Sequence, residues 1–321
     1  MTHAPVPRRR LGTSELEVPL LALGSWHVYD RMHFEDIVAL MRAAVDRGAS
    51  LFDVGVYAAP GAPPVFTDVL FASAMRAAGI AREEYLLSEK LWVEGWDAEG
   101  GFRPQLERAL VRVGSERADL VVLGDLRRDD LPLEDIVESL AELHRTGLVR
   151  AWGVNNWSAG SVQRLIDIAA ATAAPAPAVA QLKYSVSRRS IPDGEPFRRL
   201  WDQGLSLEAS DVMEGGYLAG KTSTDREVGR DPGGIRQRII DDVAAFSALA
   251  AELGATPAQL AIAFTLTHSA TATTLFGTSS AAQFEANLGS LELLERVGAG
   301  TIRERVDPFW ADRGLVDPEG P

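Results

Sequence analysis

Short, β-rich apolar runs alternate along the chain with longer segments in which apolar residues recur every three or four positions, and the alternation continues from end to end. Such a pattern predicts parallel strands joined by crossover helices. The predicted strands cover residues 20–24, 50–53, 85–91, 119–123, 151–154, 178–184, 205–209 and 273–276. Between the first two, residues 34–47 place Ile37, Val38, Met41, Ala44 and Val45 on one helical stripe, closed by Gly48 as a left-handed stop. Residues 133–146 repeat the design with Ile136, Val137, Leu140 and Leu143, closed by Gly147. Thr256 followed by Pro257 reads as an N-cap and a first-turn proline. Eight strand–helix units at a spacing of about thirty residues predict an α/β chain forming one (β/α)8 TIM barrel over residues 1–321. A doubly wound sheet is disfavoured, because Leu23-Gly24-Ser25-Trp26-His27 after the first strand is not a dinucleotide-binding glycine turn. The long interval before the last strand, with residues 215–234 and two helical patterns, predicts a loop plus an extra helix.

Charge and cysteine content narrow the function classes. A net charge of −13 repels polyphosphate and anionic lipid, so no nucleic-acid or membrane partner is expected. No apolar run is long enough for a membrane span and no secretory leader is visible, so a cytoplasmic location is expected. Absence of cysteine removes thiolate nucleophiles and thiolate metal sites, and the five histidines lack ligand spacing, so no metal is expected. The partner expected is a small-molecule substrate; the sequence leaves monomer and homo-oligomer open.

In a barrel of this kind the active site lies at the C-terminal ends of the strands. The residues just past the apolar runs are Trp26 and His27, Asp53 and Tyr57, Lys90 and Trp92, Gly124 and Asp125, Asn155 and Asn156, Gln181 and Tyr184, Ser210 and Asp211, and Ser279 and Ser280. Only three lysines occur, Lys90, Lys183 and Lys221, and two of them stand at strand ends. An ammonium can be desolvated and can bias a neighbour's pKa, which a guanidinium does less readily. Tyr57 beside Lys90 and Asp53 is thus a candidate proton-transfer unit, in which the ammonium lowers the phenol's pKa and the carboxylate orients the ammonium. Such a unit suits carbonyl protonation, enolisation or dehydration.

The chain resembles the aldo-keto reductases in several motifs in order. Arg9-Arg10-Leu11-Gly12 and Leu23-Gly24-Ser25-Trp26 resemble the family's hairpin and first strand, Phe52-Asp53 with Tyr57 its Asp/Tyr segment, and Ser88-Glu89-Lys90 its lysine strand. The run from Gly147 through Val154, Asn155 and Asn156 to Ser158, then Gln181 with Tyr184, Gly216 through Leu218 to Lys221, and Gly277 through Ser279 to Gln283 and Asn287 continue the resemblance to about residue 292. It implies NADP(H) as cofactor, hydride transfer to a small organic carbonyl, Tyr57 as acid, and Asp53 and Lys90 as its partners. It further implies cofactor contacts from Asn155, Asn156, Gln181, Ser210, Gly216, Leu218, Gly277, Ser279, Gln283 and Asn287, and substrate contacts from Trp26, Trp92 and Gly124.

Several positions depart from the family. Gly124 stands where a catalytic histidine is expected, leaving space beside Tyr57 for a bulkier substrate or for His27, the candidate replacement. Ser210 replaces an aromatic that would stack on nicotinamide, and Asp211 and Glu214 bring carboxylates toward the diphosphate, opposing its binding unless turned away or neutralised. Ser279, Ser280 and Gln283 offer the adenosine end hydrogen bonds but no cation, and Ala286 precedes Asn287 where a glutamate is expected. Loss of the cofactor therefore stays open. The alternatives are a non-redox acid–base enzyme, such as a dehydratase, isomerase or cyclase, using Tyr57, Lys90 and Asp53 alone, and a catalytically silent binding barrel.

Overall fold

The computed structural model describes residues 5–58, 63–126, 130, 132–224 and 228–321. The strands are β1 (Arg8–Arg10), β2 (Glu17–Pro19), β3 (Leu21–Gly24), β4 (Leu51–Val54), β5 (Val56–Tyr57), β6 (Val65–Phe66), β7 (Leu86–Leu91), β8 (Leu120–Leu123), β9 (Ala151–Asn155), β10 (Val179–Lys183), β11 (Ser206–Ser210) and β12 (Thr271–Phe276). Eight of them close a parallel barrel in the order β3-β4-β7-β8-β9-β10-β11-β12, so each predicted strand is present with its ends shifted by a residue or two. Residues whose strands are buried on both faces read as continuous apolar runs, which is why the sequence marks them.

The helices are α1 (Phe34–Asp46), α2 (Thr67–Ala77), α3 (Trp96–Glu99), α4 (Phe102–Val113), α5 (Leu133–Arg145), α6 (Ala159–Thr172), α7 (Glu195–Asp202), α8 (Ile235–Glu252), α9 (Pro257–Thr265), α10 (Ala281–Asn287), α11 (Gly289–Val297) and α12 (Ala299–Arg305). In α1 the buried stripe is Ile37, Leu40, Met41 and Ala44, with Val38 and Val45 only partly covered. The α5 stripe is buried as predicted. Thr256 and Gln259 cap α9 reciprocally.

Two cores follow from the alternation of side chains across a strand. Helix-facing residues such as Phe52, Leu87, Trp152 and Leu207 join the main cluster between barrel and helices. Inward residues such as Ala22, Leu51, Val122 and Val179 form a second cluster with Leu11, Leu16 and Val18 of the antiparallel β1–β2 hairpin, which therefore plugs the bottom of the barrel. Gly12 lies so close to β10 that a Cβ would sit 2.2 Å from the Ala178 carbonyl oxygen, and its φ of 55° is left-handed. At the other end, the C-terminal segment lies on the loop after β10. Asp312 there accepts from the Ser190 hydroxyl and from Trp310 Nε1, and Trp310 stacks on the Arg189 guanidinium. The polar ends of the strands are left to build the mouth.

Candidate active site

A chain of buried polar groups crosses the upper barrel interior. Asp53, Lys90, Gln181 and Glu208 come from β4, β7, β10 and β11, where period-two alternation turns them inward, and all are under 7% exposed. Lys90 Nζ lies 3.5 Å from Asp53 Oδ1 and donates at 2.5 Å to Gln181 Oε1. Gln181 Nε2 donates in turn to Glu208 Oε1, also at 2.5 Å, and Ser88 donates to Asp53. The predicted Asp53–Lys90 pair is thus formed, and Gln181 joins it. Glu208 was not among the predicted residues; an acidic residue between Leu207 and Ala209 in a barrel strand is the signal that marks it.

Tyr57 stands at the edge of this chain on the β5–β6 hairpin, where it pairs with Val65. Near its hydroxyl lies Ser25, fully buried past β3 and 2.8 Å from the Thr67 hydroxyl. Burial, with Asp53 second, holds the Tyr57 hydroxyl well above the ordinary phenol range, and Ser25 offsets this only in part. The expectation of a lowered phenol is reversed, because desolvation outweighs the other influences. Tyr57 is consequently a protonated donor at neutral pH. Tyr29, on the turn after β3, is buried with a hydroxyl that has no partner among the described residues, and burial and Asp53 also push it up.

The space expected beside Tyr57 at Gly124 is filled. A Cβ on Gly124 would lie 2.3 Å from Trp92 Cε3, so the indole occupies the volume a side chain at 124 would need. Trp92 Nε1 donates to the Val56 carbonyl at 3.0 Å, and its ring meets Tyr57 edge to face at 6.2 Å. Glycine at 124 and tryptophan at 92 are one arrangement, and it puts an apolar wall where the family pattern has an imidazole. Trp26 and His27 form a separate group after β3: their rings are 4.5 Å apart, Trp26 is 36% exposed, and His27 Nδ1 lies 3.2 Å from Arg31 Nη2.

The two asparagines after β9 meet a single carboxylate. Asn155 and Asn156 each donate through Nδ2 to Asp125 Oδ1, at 2.6 and 2.9 Å, and Asn156 Oδ1 accepts from the Lys183 amide. Asp125 follows β8, where the sequence marks no more than a strand end.

Beyond Ser210, whose carbonyl accepts from the Tyr184 amide, the chain enters a run of left-handed residues: Asp211, Glu214, Gly215, Gly216 and Gly220. The amides of Glu214, Gly216, Leu218, Gly220 and Lys221 here already donate to backbone carbonyls of the same loop, so the left-handed residues serve to fold the loop on itself. The feared repulsion from Glu214 is absent, since its carboxylate is 3% exposed, accepts from the Ser185 hydroxyl at 2.6 Å and pairs with Arg188 at 3.0 Å. Burial pushes it up to about 7. Leu218 is buried, and Gly216 is covered by the stem of Lys221, whose Cδ a Cβ there would meet at 2.5 Å. Past β12, Gly277 leads into Ser279, whose hydroxyl donates to Gln283 at 3.0 Å, while Ser280 caps α10. Asn287, near the C-terminal end of α10, is 7% exposed. Lys221 over the glycine loop and the side chains of Ser279, Gln283 and Asn287 are the groups available to a dinucleotide laid across the mouth.

Among the described residues no helix is long and apolar enough to cross a membrane. A sequence profile described as "Aldo/keto reductase family" matches residues 20–297. A curated relative, "Putative voltage-gated potassium channel subunit beta" of Schizosaccharomyces pombe, is 26% identical over 318 aligned residues, covering 91% of this chain and 90% of that protein.

Proposed function

The chain belongs to the aldo/keto reductase family, and we propose from this premise that it is an NADP(H)-dependent reductase of small organic carbonyls with Tyr57 as general acid. The observation that carries the reading is the buried Asp53–Lys90–Gln181 chain beside a Tyr57 hydroxyl held in its protonated form. Asn155, Asn156, Gln181 and Ser210 would hold the nicotinamide end, Gly216, Leu218 and Lys221 the diphosphate, and Gly277, Ser279, Gln283 and Asn287 the adenosine. NADP(H), when bound there, supplies the hydride.

The protein's own residues supply the proton. Tyr57 donates its phenolic proton to the carbonyl oxygen, and the Lys90 ammonium, balanced by Asp53, offsets the phenolate that remains. Ser25 gives that phenolate a second hydrogen-bonding neighbour. Trp92 presents an apolar face where the imidazole would stand, so the substrate class favoured is a carbonyl flanked by an apolar or aromatic group. His27 and Trp26 border the same mouth from the loop after β3. The test is titration of NADPH into the pure protein, followed by reduction of 4-nitrobenzaldehyde. Saturable binding with turnover supports the reading, and absence of both at millimolar NADPH overturns it.

A second reading, a non-redox acid–base enzyme, is favoured by one observation. The amides that would anchor the nicotinamide are already engaged: Gln181 at both ends, and both asparagine Nδ2 groups on Asp125. Binding of the nicotinamide would have to share or replace those bonds. Proton transfer at Tyr57 needs none of them to change.

A further inference from the structure

We infer that Glu208 is a positioning residue for the acid–base unit: through Gln181 it fixes the place of Lys90, and it keeps inside the barrel a proton whose loss is felt at Lys90. The inference rests on the reading of Tyr57, Lys90 and Asp53 as that unit. It begins from the direction of two hydrogen bonds. An ammonium can only donate, so the Gln181 atom 2.5 Å from Lys90 Nζ must be its oxygen, and the amide nitrogen must then face Glu208. Flipping the amide would set NH2 against NH3+ and oxygen against a carboxyl, so the orientation is fixed by chemistry rather than by choice. Gln181 is 4% exposed and engaged at both ends. It therefore couples the two groups as a rigid bridge.

Lys90 is nearer to this bridge than to its ionic partner, at 2.5 Å against 3.5 Å from Asp53. Where Gln181 sits thus decides where the ammonium sits, and Glu208 decides where Gln181 sits. Glu208 has no exposed surface, and its Oε2 has no partner among the described residues. Thr273, its register partner on β12, likewise keeps an unpaired hydroxyl. An ionised carboxylate there would bury an oxygen with no donor, whereas a proton on Oε2 removes most of that cost. The charged groups that act on it are Asp53 of β4 and Lys90 of β7, while β10 contributes Gln181 and β12 Thr273. With Glu208 protonated, Asp53 and Lys90 balance; with Glu208 ionised, the interior carries one excess negative charge. Burial, then Asp53, pushes the carboxyl up to about 8, against the opposing pull of Lys90. Ionisation would draw the bridge and the ammonium toward β11 and make a phenolate at Tyr57 costlier, so proton transfer slows as Glu208 loses its proton.

The experiment uses the full chain and the variants Glu208→Gln, Glu208→Leu and Lys90→Met. Difference infrared spectra of wild type against Glu208→Gln read the carboxyl directly and need no activity. A protonated-carboxyl band that disappears as pH rises through about 8 is expected in wild type alone, and Lys90→Met should move its midpoint upward by about one pH unit or more. An absent band, or a midpoint unmoved by Lys90→Met, overturns the coupling whatever the catalytic outcome. Turnover of 4-nitrobenzaldehyde with NADPH reads the consequence. Wild type should lose kcat above about pH 8, Glu208→Gln should keep turnover but lack that limb, and Glu208→Leu should lower kcat about tenfold or more with KM little changed. The same alkaline limb in Glu208→Gln overturns the positioning role. If wild type does not reduce the aldehyde at all, the reductase reading fails and the infrared titration alone decides the coupling.

Discussion

Gly124 and Trp92 have to be read together, because either residue makes sense only in the presence of the other. The indole lies over the glycine, tied to Val56 through Nε1, and any side chain at 124 must displace it. Gly124→His, which restores the family pattern, should therefore destabilise the protein by about 1–3 kcal/mol through overpacking. Chemical denaturation measures this, and adding Trp92→Ala should recover part of the loss; a Gly124→His protein as stable as wild type would show that the indole moves aside freely. Tyr57 carries the next expectation at this scale. Tyr57→Phe keeps the ring against Trp92 and removes only the hydroxyl, so turnover should fall about 10²–10⁴-fold while NADPH affinity stays the same. Steady-state kinetics beside a cofactor titration checks it, and wild-type turnover in the variant would remove Tyr57 from the role of acid.

The loop after β11 shows how an element can answer an electrostatic problem that its sequence poses. Asp211-Val212-Met213-Glu214 reads as two carboxylates facing a diphosphate, yet the left-handed backbone at Glu214 turns its side chain into the protein, onto Ser185 and Arg188. That bond spans 26 residues and depends on the exit from β10, so no local pattern announces it. The same holds for Glu208 and Gln181, 27 residues apart, which meet only because β10 and β11 pair in one register. A slip of one residue would turn Glu208 toward the helices. Strands and helices are legible because burial on both faces, or on one stripe, leaves a period in the sequence. The two-residue strands that carry Tyr57 leave none. Glu214 also makes a pH prediction. Its folded pKa, about 7, stands above the usual 4.5, so the native state holds this proton more tightly than the unfolded chain. Its contribution is fully present below about pH 4.5 and is lost as pH rises through about 7. Thermal unfolding over that window should show wild type losing stability relative to Glu214→Gln, and parallel curves for the two proteins would contradict it.

For the whole molecule, the barrel is closed at the bottom by the β1–β2 hairpin and bordered at the top by loops whose described residues include the left-handed Asp211 and Glu214, the latter also buried. The C-terminal segment belongs to this frame, since Asp312 joins the loop after β10 to Trp310. A dinucleotide spanning the mouth would touch loops after β9, β10, β11 and β12 at once, and such a ligand stabilises the folded chain as a unit. A ligand that binds only the native state adds about 2.7 kcal/mol at a hundred times its Kd. In a chain of this size that corresponds to a rise in Tm of several degrees. Thermal unfolding with increasing NADPH should therefore show a concentration-dependent upward shift, and Asn287→Ala should weaken it if Asn287 contacts the adenosine end as proposed. The result matters most in combination with Tyr57→Phe. A shift in both wild type and Tyr57→Phe, with turnover only in wild type, is what a reductase requires. No shift at millimolar NADPH, with conversion of a natural substrate still lost in Tyr57→Phe, would mean that the barrel keeps the proton chemistry and has given up the hydride, as the occupied amides of Gln181, Asn155 and Asn156 would allow.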